Sequence, residues 1–265
     1  MGWRPIFNSW KNKLPTCFND DHQKTINTLM DVIVQPCIDF VRQECNETTP
    51  TQDQNLVQSL LKIWRGLLTV FDNENFITTL DKKQVHAAIE STFVFSAIWS
   101  LCISINTEFR RPFDQQFKKI CNGELDTMKV KLEKKILPSA FDRGLIYDYI
   151  YYPEKNEWKH WMDLVNKDTL DQFPKGTQVQ DIIVTTIDTI RYSYLQEFFI
   201  QHEIQSLFVG PTGTGKSAYI QNVLLNKLNR EKFTTIEIGF SAQTNSNQVR
   251  IPIIFSSFLL GPRHY

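Results

Sequence analysis

Apolar side chains recur every three or four positions through the first part of the chain, which is the spacing of one face of an α-helix. A helix is predicted with Asp20 or Asp21 as its N-cap, and Pro36 is expected to kink or split it, because proline lacks a backbone N–H and clashes with the preceding turn. Its apolar face is expected to consist of Ile26, Leu29, Ile33, Cys37 and Phe40. A second helix is expected after the loop around Pro50, with an apolar face of Leu56, Leu60, Ile63, Trp64, Leu67 and Phe71.

A third helix is predicted to begin near Asp81 and to continue into residues 91–107, the longest stretch without a charged side chain. This stretch is shorter than the roughly 18 apolar residues that a membrane span requires. It is also interrupted by the polar residues Ser96, Ser100, Ser104 and Asn106. We therefore expect a helix buried in a protein core and no membrane span.

A fourth helix is predicted over residues 124–137, ending before Pro138, because the residue before a proline avoids the helical conformation. Its lysines alternate with apolar residues, which indicates a solvated helix face more than a binding patch. The lysines are Lys129, Lys131, Lys134 and Lys135.

The pattern changes near residue 140, which we interpret as the boundary between a helical domain, 1–140, and a second domain, 141–265. Residues 145–152 are rich in β-forming side chains and end at Pro153, which favours a strand. Trp158 and Trp161 follow, and clustered tryptophans beside a strand are typical of a core.

From residue 181 onward, short apolar runs alternate with helical patterns. Strands are predicted at 181–185, 205–209 and 234–240, a helix from Thr186 or Asp188 through Ile200, and another over 216–228. The order strand, glycine loop, helix, strand is the βαβ unit of a parallel sheet. The predicted fold class is α/β, with a helical N-terminal part followed by a nucleotide-binding domain.

Charge and cysteine content narrow the classes of function. The chain has 29 basic and 29 acidic residues, and this balance argues against a partner that is nucleic acid or an acidic membrane surface. Five cysteines without a CxxC pair indicate free thiols in a reducing compartment. The N-terminus has no apolar stretch of the signal-peptide kind, so we expect a cytoplasmic protein.

One motif carries chemistry. Residues 210–217 match the phosphate-binding pattern G-x-x-x-x-G-K-[ST] at each fixed position, and an apolar run and an amphipathic helix flank them. Glycines allow positive φ, so that backbone N–H groups form an anion-binding nest, and the following helix adds its positive end. The nucleotide-binding residues are predicted to be Gly210, Pro211, Thr212, Gly213, Thr214, Gly215, Lys216 and Ser217.

Within this motif, Lys216 is expected to reach the β- and γ-phosphates, and the Ser217 hydroxyl is expected to ligate Mg²⁺. The predicted ligands are therefore ATP, or a similar nucleoside triphosphate, and Mg²⁺. Hydrolysis also needs an acidic residue at the end of a neighbouring strand. The acids after Ser217 are Glu231 and Glu237, and both are interpreted as surface charges, so no catalytic residue is assigned.

Three runs resemble the start of the third AAA+ module of an axonemal dynein heavy chain: 186–192 (TIDTIRY), 207–217 (LFVGPTGTGKS) and 240–244 (FSAQT). Residues 2–5 (GWRP), 8–10 (NSW) and 14–15 (LP) resemble the end of the second module, which is followed by its helical lid. The resemblance implies a lid region over 1–140 and the start of a P-loop module over 141–265.

The chain departs from this family at two places. Gly239 stands where relatives usually have Asn, and the resemblance is expected to end after Gln248, which makes 249–265 a divergent tail. The Walker B acid, the main hydrolytic module and the microtubule-binding stalk are expected to be absent. Motor activity is therefore expected of the parent protein and not of this chain.

Three interpretations stay open at this point: an ATP-binding segment of a ciliary motor, a non-enzymatic fragment that docks onto other dynein parts, and an unrelated P-loop ATPase. The resemblance implies dynein heavy, intermediate and light chains as partners, and microtubules only through regions absent here. It also implies a place in the cytoplasm, cytoskeleton and ciliary axoneme, without nucleic-acid or membrane partners.

Overall fold

A computed structural model describes residues 2–124, 132, 135–165 and 186–249. The chain divides into two compact units, 1–214 and 215–265, which are treated separately below. Among the described residues, no helix has both the length and the apolar character needed to cross a membrane.

The first unit is mainly helical and contains one two-stranded sheet among its described residues. Its helices are α1 (Arg4–Lys11), α2 (Asp20–Leu29), α3 (Gln35–Glu44), α4 (Asp53–Leu68), α5 (Glu74–Thr78), α6 (Lys82–Leu101), α7 (Arg110–Cys121) and α8 (Ile187–Gln201). Its strands are β1 (Tyr149–Tyr152) and β2 (Glu157–His160). The second unit contains α9 (Lys216–Asn222).

The first predicted helix is split, as expected, by Pro36. The segment Met30–Val34 between α2 and α3 is π-helical, so the backbone widens just before the proline that cannot donate to the preceding turn. The predicted start was slightly wrong, because Asn19 caps α2 instead of Asp20 or Asp21. Its Oδ1 accepts from the backbone N–H of His22 at 3.0 Å, which satisfies a donor in the first turn.

Helices α4 and α6 pack against each other and form the centre of the core. The predicted apolar residues are all buried: Leu56, Leu60, Ile63, Trp64 and Leu67 in α4, and Phe71 in the 3₁₀ turn Thr69–Asp72 that follows it. The predicted core character of α6 is confirmed as well. Its hydroxyls are satisfied inside the helix, because Ser96 donates to the carbonyl of Thr92 and Ser100 donates to that of Ser96.

The predicted fourth helix, 124–137, lies largely outside the described residues, together with Lys129, Lys131 and Lys134. The described members of that range are not helical, and Lys135 forms an exposed ion pair with Asp142 at 3.3 Å. Helix α7 was not predicted individually. It buries Phe113, Phe117, Ile120 and Cys121 on one face.

The strand predicted over 145–152 is shorter than expected. Residues Ile146–Asp148 form a 3₁₀ turn, and only Tyr149–Tyr152 pairs, in antiparallel register, with Glu157–His160. Both tryptophans belong to the core, as predicted. Trp161 is fully buried and its indole N–H donates to the carbonyl of Tyr147, while Trp158 donates to the Ser91 hydroxyl.

The predicted strands at 205–209 and 234–240 are not formed in the described residues, and 181–185 lies outside them. Leu207, Val209 and Phe240 are 78%, 50% and 73% exposed. A strand needs a neighbouring strand to pair with its backbone N–H and C=O groups. High β propensity in the sequence does not provide that neighbouring strand. The helix predicted between the first two strands is confirmed as α8, which Thr186 caps through the N–H of Thr189.

The free-thiol prediction is confirmed for all five cysteines. Burial raises the pKa of Cys37, Cys102 and Cys121 above the ordinary range for thiols. These thiols are therefore held in the protonated form, which is a poor nucleophile toward oxidants.

A buried carboxylate fixes the hairpin to α7. Asp114 accepts the backbone N–H of Ile146 at 2.8 Å and forms an ion pair with Lys118 at 3.0 Å. The Lys118 ammonium also donates to the carbonyl of Gly144. The turn that leads into β1 is thus held by a small charged network.

Removing this carboxylate is expected to cost much more than removing an exposed one. Asp114→Ala leaves a buried N–H without an acceptor and the Lys118 ammonium without its carboxylate partner, which should lower the free energy of unfolding by about 2–3 kcal/mol. Asp142→Ala, the matched control, removes an exposed pair worth about 0–1 kcal/mol. Urea denaturation measures both values, and equal losses would contradict the assigned role of Asp114.

Candidate functional site

The loop at 210–217 has the backbone conformation that its glycines predict. Gly213 and Gly215 have φ of 82° and 78°, in the left-handed region that other residues avoid. The Thr214 hydroxyl donates to the carbonyl of Pro211 at 3.0 Å, which closes the loop on itself. When residues with left-handed backbone conformation alternate with right-handed ones, successive backbone N–H groups point to the same side of the loop. Together they form a concave site that binds anions.

Helix α9 begins directly at the loop, with Gly215 as its N-cap. Glycine brings no side-chain acceptor to the first turn, in contrast to Asn19, Asp81 and Thr186, which cap α2, α6 and α8 through their side chains. The first N–H groups of α9 are therefore not covered by a capping side chain. The positive end of the helix dipole lies at the same place.

The eight predicted residues differ in exposure. Five are exposed (Pro211, Thr212, Gly213, Thr214 and Ser217), and three are partly buried (Gly210, Gly215 and Lys216). A side chain at Gly213 would meet no atom within 4 Å, so the backbone there is open to a ligand. The arrangement fits a triphosphate, because it offers backbone N–H groups, an ammonium and a hydroxyl within one continuous segment.

Tyr219 was not predicted as part of this site. A Cβ at Gly215 would lie 3.1 Å from the Tyr219 ring, and the Tyr219 N–H donates to the Gly215 carbonyl at 3.0 Å. The ring therefore packs against the glycine at the helix start. The spacing of four residues within a helix was the signal that could have indicated this contact.

Helix α9 and its π-helical continuation have one buried side and a hydrogen bond to a later segment of the second unit. Val223 is fully buried, and Tyr219, Ile220, Leu224 and Leu228 are partly buried, in line with the predicted packing face. The Thr235 hydroxyl donates to the carbonyl of Leu224 at 3.2 Å, which ties the following segment to the helix.

Both acids that follow the loop are exposed, as expected of surface charges. Glu237 accepts from the side-chain amide of Gln221 at 2.8 Å, so it holds a residue of α9. The backbone N–H of Glu231 donates to the Asn229 side chain in a turn.

The sequence matches two models of known protein families. The model described as "Dynein heavy chain AAA lid domain" matches residues 26–163, which is about half of the chain. This chain belongs to the dynein heavy chain family. The model described as "P-loop containing dynein motor region" matches residues 171–256 of the same dynein chain, so it includes the loop and continues beyond Gln248.

Individual relatives are axonemal. The chain is 36% identical to dynein axonemal heavy chain 12 of Rattus norvegicus, 32% to dynein axonemal heavy chain 3 of Mus musculus and 28% to dynein axonemal heavy chain 2 of Homo sapiens. Each comparison covers 94% of this dynein chain but only 8%, 6% and 5% of the relative. The chain thus spans less than a tenth of the length of these relatives.

The family membership confirms two expectations from the sequence. The dynein resemblance is correct, and so is the fold class of a helical lid followed by an α/β P-loop region. It also rules out the alternative of a P-loop ATPase unrelated to dynein.

The two left-handed glycines allow a graded test of the loop. Gly215→Ala combines backbone strain with a contact to the Tyr219 ring, whereas Gly213→Ala carries the strain alone, roughly 1–2 kcal/mol. Gly239→Ala is the matched control, because a Cβ there meets nothing within 4 Å and φ is not positive. Affinity for a fluorescent ATP analogue is expected to fall most for Gly215→Ala, less for Gly213→Ala, and not for the control.

The opposite order, or equal affinities for Gly215→Ala and Gly239→Ala, would show that the loop conformation does not determine nucleotide binding.

Proposed function

We propose that this chain is the ATP-binding segment of an axonemal dynein heavy chain, with the triphosphate held by residues 210–217. The observation that carries the proposal is the backbone of the loop, in which Gly213 and Gly215 take left-handed conformations directly before α9. The family supports it, since the matched region is a P-loop motor region.

Each residue of the loop has a distinct role in this proposal. Backbone N–H groups of the loop and of the first turn of α9 bind phosphate oxygens, which needs no side chain and explains the glycines. The Lys216 ammonium pairs with the β- and γ-phosphates, and the Ser217 hydroxyl ligates Mg²⁺. Bound Mg²⁺ neutralises the phosphate charge that the lysine leaves uncompensated.

The proposed domain arrangement follows the sequence analysis. Residues 1–140 correspond to the lid of the second AAA+ module and residues 141–265 to the start of the third, with 249–265 as a divergent tail. The lid match to 26–163 and the P-loop match to 171–256 support the order of the two parts, and the P-loop match includes the first eight residues of the proposed tail. Val249 is the last described residue, so the tail lies outside the described residues except for its first position.

Activities of the whole motor are proposed for the longer protein. ATP-driven movement along microtubules, association with other dynein chains and a place in the ciliary axoneme are properties that the family implies. The chain covers 8% or less of the three relatives described above, so it contributes to these activities only the nucleotide site and the lid.

A second candidate function, docking of this segment onto other dynein parts, has one observation in its favour. Leu207 and Val209, two positions apart in the segment before the loop, are 78% and 50% exposed. Isolated exposed apolar residues are common on protein surfaces, whereas neighbouring ones favour contact with a partner. The nucleotide function is better supported because it also accounts for the loop backbone.

The nucleotide proposal is tested by calorimetric titration of the purified chain with ATP, in Mg²⁺ and in EDTA. Lys216→Ala is expected to weaken binding about thirtyfold or more, because a hydrogen-bonded charge pair is lost. Ser217→Ala, the matched variant, should bind ATP as tightly as the parent chain in EDTA. It should lose only the increase in ATP affinity that Mg²⁺ gives the parent chain.

Lys227→Ala, in the π-helical segment that continues α9, serves as the control for removing a positive charge nearby. Equal ATP affinity in the folded Lys216→Ala variant and in the parent chain would mean that the loop is not the site.

A further inference from the structure

Two histidines meet where α2 packs against α6 in the first unit. His22 lies in the first turn of α2 and His86 lies in α6, and their ring centroids are 5.0 Å apart in an edge-to-face arrangement. Both side chains are partly buried, so water screens their charges less than it would on an open surface. The protonation state of each ring therefore affects that of the other.

His86 has an acceptor for each of its ring nitrogens. Its Nε2 lies 3.1 Å from the Asp21 carboxylate, and its Nδ1 lies 3.1 Å from the Thr25 hydroxyl. That hydroxyl donates to the backbone carbonyl of Asp21 at 3.2 Å, so its oxygen accepts from the imidazole. An imidazole that donates from both nitrogens is the positively charged imidazolium. The hydrogen bonds around His86 thus accommodate its charged form.

His22 makes a hydrogen bond that only a neutral ring can make. Its Nδ1 accepts the backbone N–H of Asn19 at 3.3 Å, while its own backbone N–H donates to the Asn19 side chain at 3.0 Å. This reciprocal pair is a capping box, which fixes the chain at the start of α2. A ring nitrogen accepts only while it carries no proton, so the capping box requires neutral His22 with its proton on Nε2.

The surroundings of His22 disfavour a positive charge on its ring. Burial and the positive charge of His86 lower the pKa of His22, while the Asp21 carboxylate raises it in part. The positive end of the α2 dipole lies at the same turn and disfavours the charge further. Lys82 and Lys83, one turn before His86 in α6, are exposed to solvent and act only weakly. His22 is therefore the neutral member of the pair near neutral pH.

We propose that His22 and His86 form a pH-sensitive contact that fastens the start of α2 to α6. Near neutral pH, the charged ring of His86 binds Asp21, and the neutral ring of His22 completes the capping box. A second proton, on His22, removes the acceptor for the Asn19 N–H and places two positive charges side by side. The start of α2 then separates from α6. The contact does not depend on the proposed nucleotide function.

The segment before α2 is expected to respond as well. The rings of His22 and Phe18 lie edge to face with centroids 5.5 Å apart, and Phe18 is buried against Phe71 at 5.2 Å. Phe71 belongs to the turn that follows α4. Protonation of His22 should therefore expose Phe18 and release this segment from the end of α4.

The direction of the pH dependence follows from the lowered pKa of His22. In the unfolded chain this histidine has its ordinary pKa of about 6.5, so the unfolded state binds the proton first as the pH falls. The stabilisation is fully present above about pH 6.5 and is lost as the pH falls toward the pKa of the folded state. Ordinary carboxylates titrate near pH 4, so mild acid affects mainly the histidines.

The test is amide hydrogen exchange of the full chain at about pH 7.5 and about pH 5.5, measured on peptides that cover 18–29. The informative variant is His22→Gln, because the glutamine carbonyl can accept the Asn19 N–H at the same capping position and does not titrate. At the higher pH, the variant and the parent chain are expected to be equally protected. At the lower pH, the parent is expected to be roughly three- to tenfold less protected than the variant, which corresponds to one hydrogen bond.

A second variant tests the coupling between the two rings. In His86→Gln, NMR titration of the labelled His22 ring is expected to give a higher pKa than in the parent chain, because a neighbouring positive charge is gone. His160→Gln is the matched control, since His160 also accepts a backbone N–H, that of Met162, but lies in β2. It should leave both the pKa of His22 and the protection of 18–29 unchanged.

Circular dichroism at about pH 7.5 confirms that each variant is folded before exchange is measured. Equal protection of the parent and His22→Gln at the lower pH would overturn the proposal, as would an unchanged pKa of His22 in His86→Gln. The parent chain gives an independent check. If its protection fell equally in α4 and in 18–29, general acid unfolding would explain the loss and the proposal would be wrong.

Discussion

Burial of helix α6 is the constraint on which the first unit depends. From residue 91 onward α6 has no charged side chain, and the apolar surface that this part would expose to water must be covered by neighbouring elements. α4 packs along one side, and Trp64 of α4 donates its indole N–H to Thr92 of α6. β1 and the turn around Trp161 cover another part, where the Trp99 and Trp161 rings lie 6.2 Å apart. The lid is thus a set of helices and one hairpin organised around a single buried helix.

This core also holds the helix that leads toward the nucleotide loop. Tyr194 of α8 contacts the Trp161 ring at 5.5 Å, and Arg191 of α8 is buried, paired with Asp188 and hydrogen-bonded to the carbonyl of Tyr147. Gly66 permits the close approach of α8 to α4. The helix before the loop is therefore part of the core of the first unit, and only a short segment separates it from Gly210.

Sequence patterns predicted the helices that bury one continuous apolar face. The faces of α4 and α6 repeat at helical spacing because each face contacts one core, so periodicity alone was sufficient. The same signal was present for α7, where Phe113, Phe117 and Ile120 are four and three positions apart, but the flanking charges concealed it. The left-handed backbone at 213 and 215 was also foreseeable, because glycine takes this conformation without the steric cost that other residues carry.

Elements that depend on a partner were not predictable in the same way. Residues 205–209 and 234–240 have the composition of strands, but a strand exists only when a neighbour receives its hydrogen bonds. The contact of Tyr219 with Gly215 and that of His22 with His86 also depend on how segments meet, which composition does not encode. The patterns predicted a helical part followed by a nucleotide-binding domain, and the resemblance to dynein identified the helical part as a lid.

The central proposal is that a nucleotide binds at residues 210–217 and that the core of the first unit forms without it. Amide hydrogen exchange with and without Mg²⁺–ATP tests both parts of this claim in one measurement. The account predicts slower exchange at 212–219 with nucleotide, and unchanged exchange in α4 and α6. Unchanged exchange in the loop, or protection confined to α4 and α6, would contradict it.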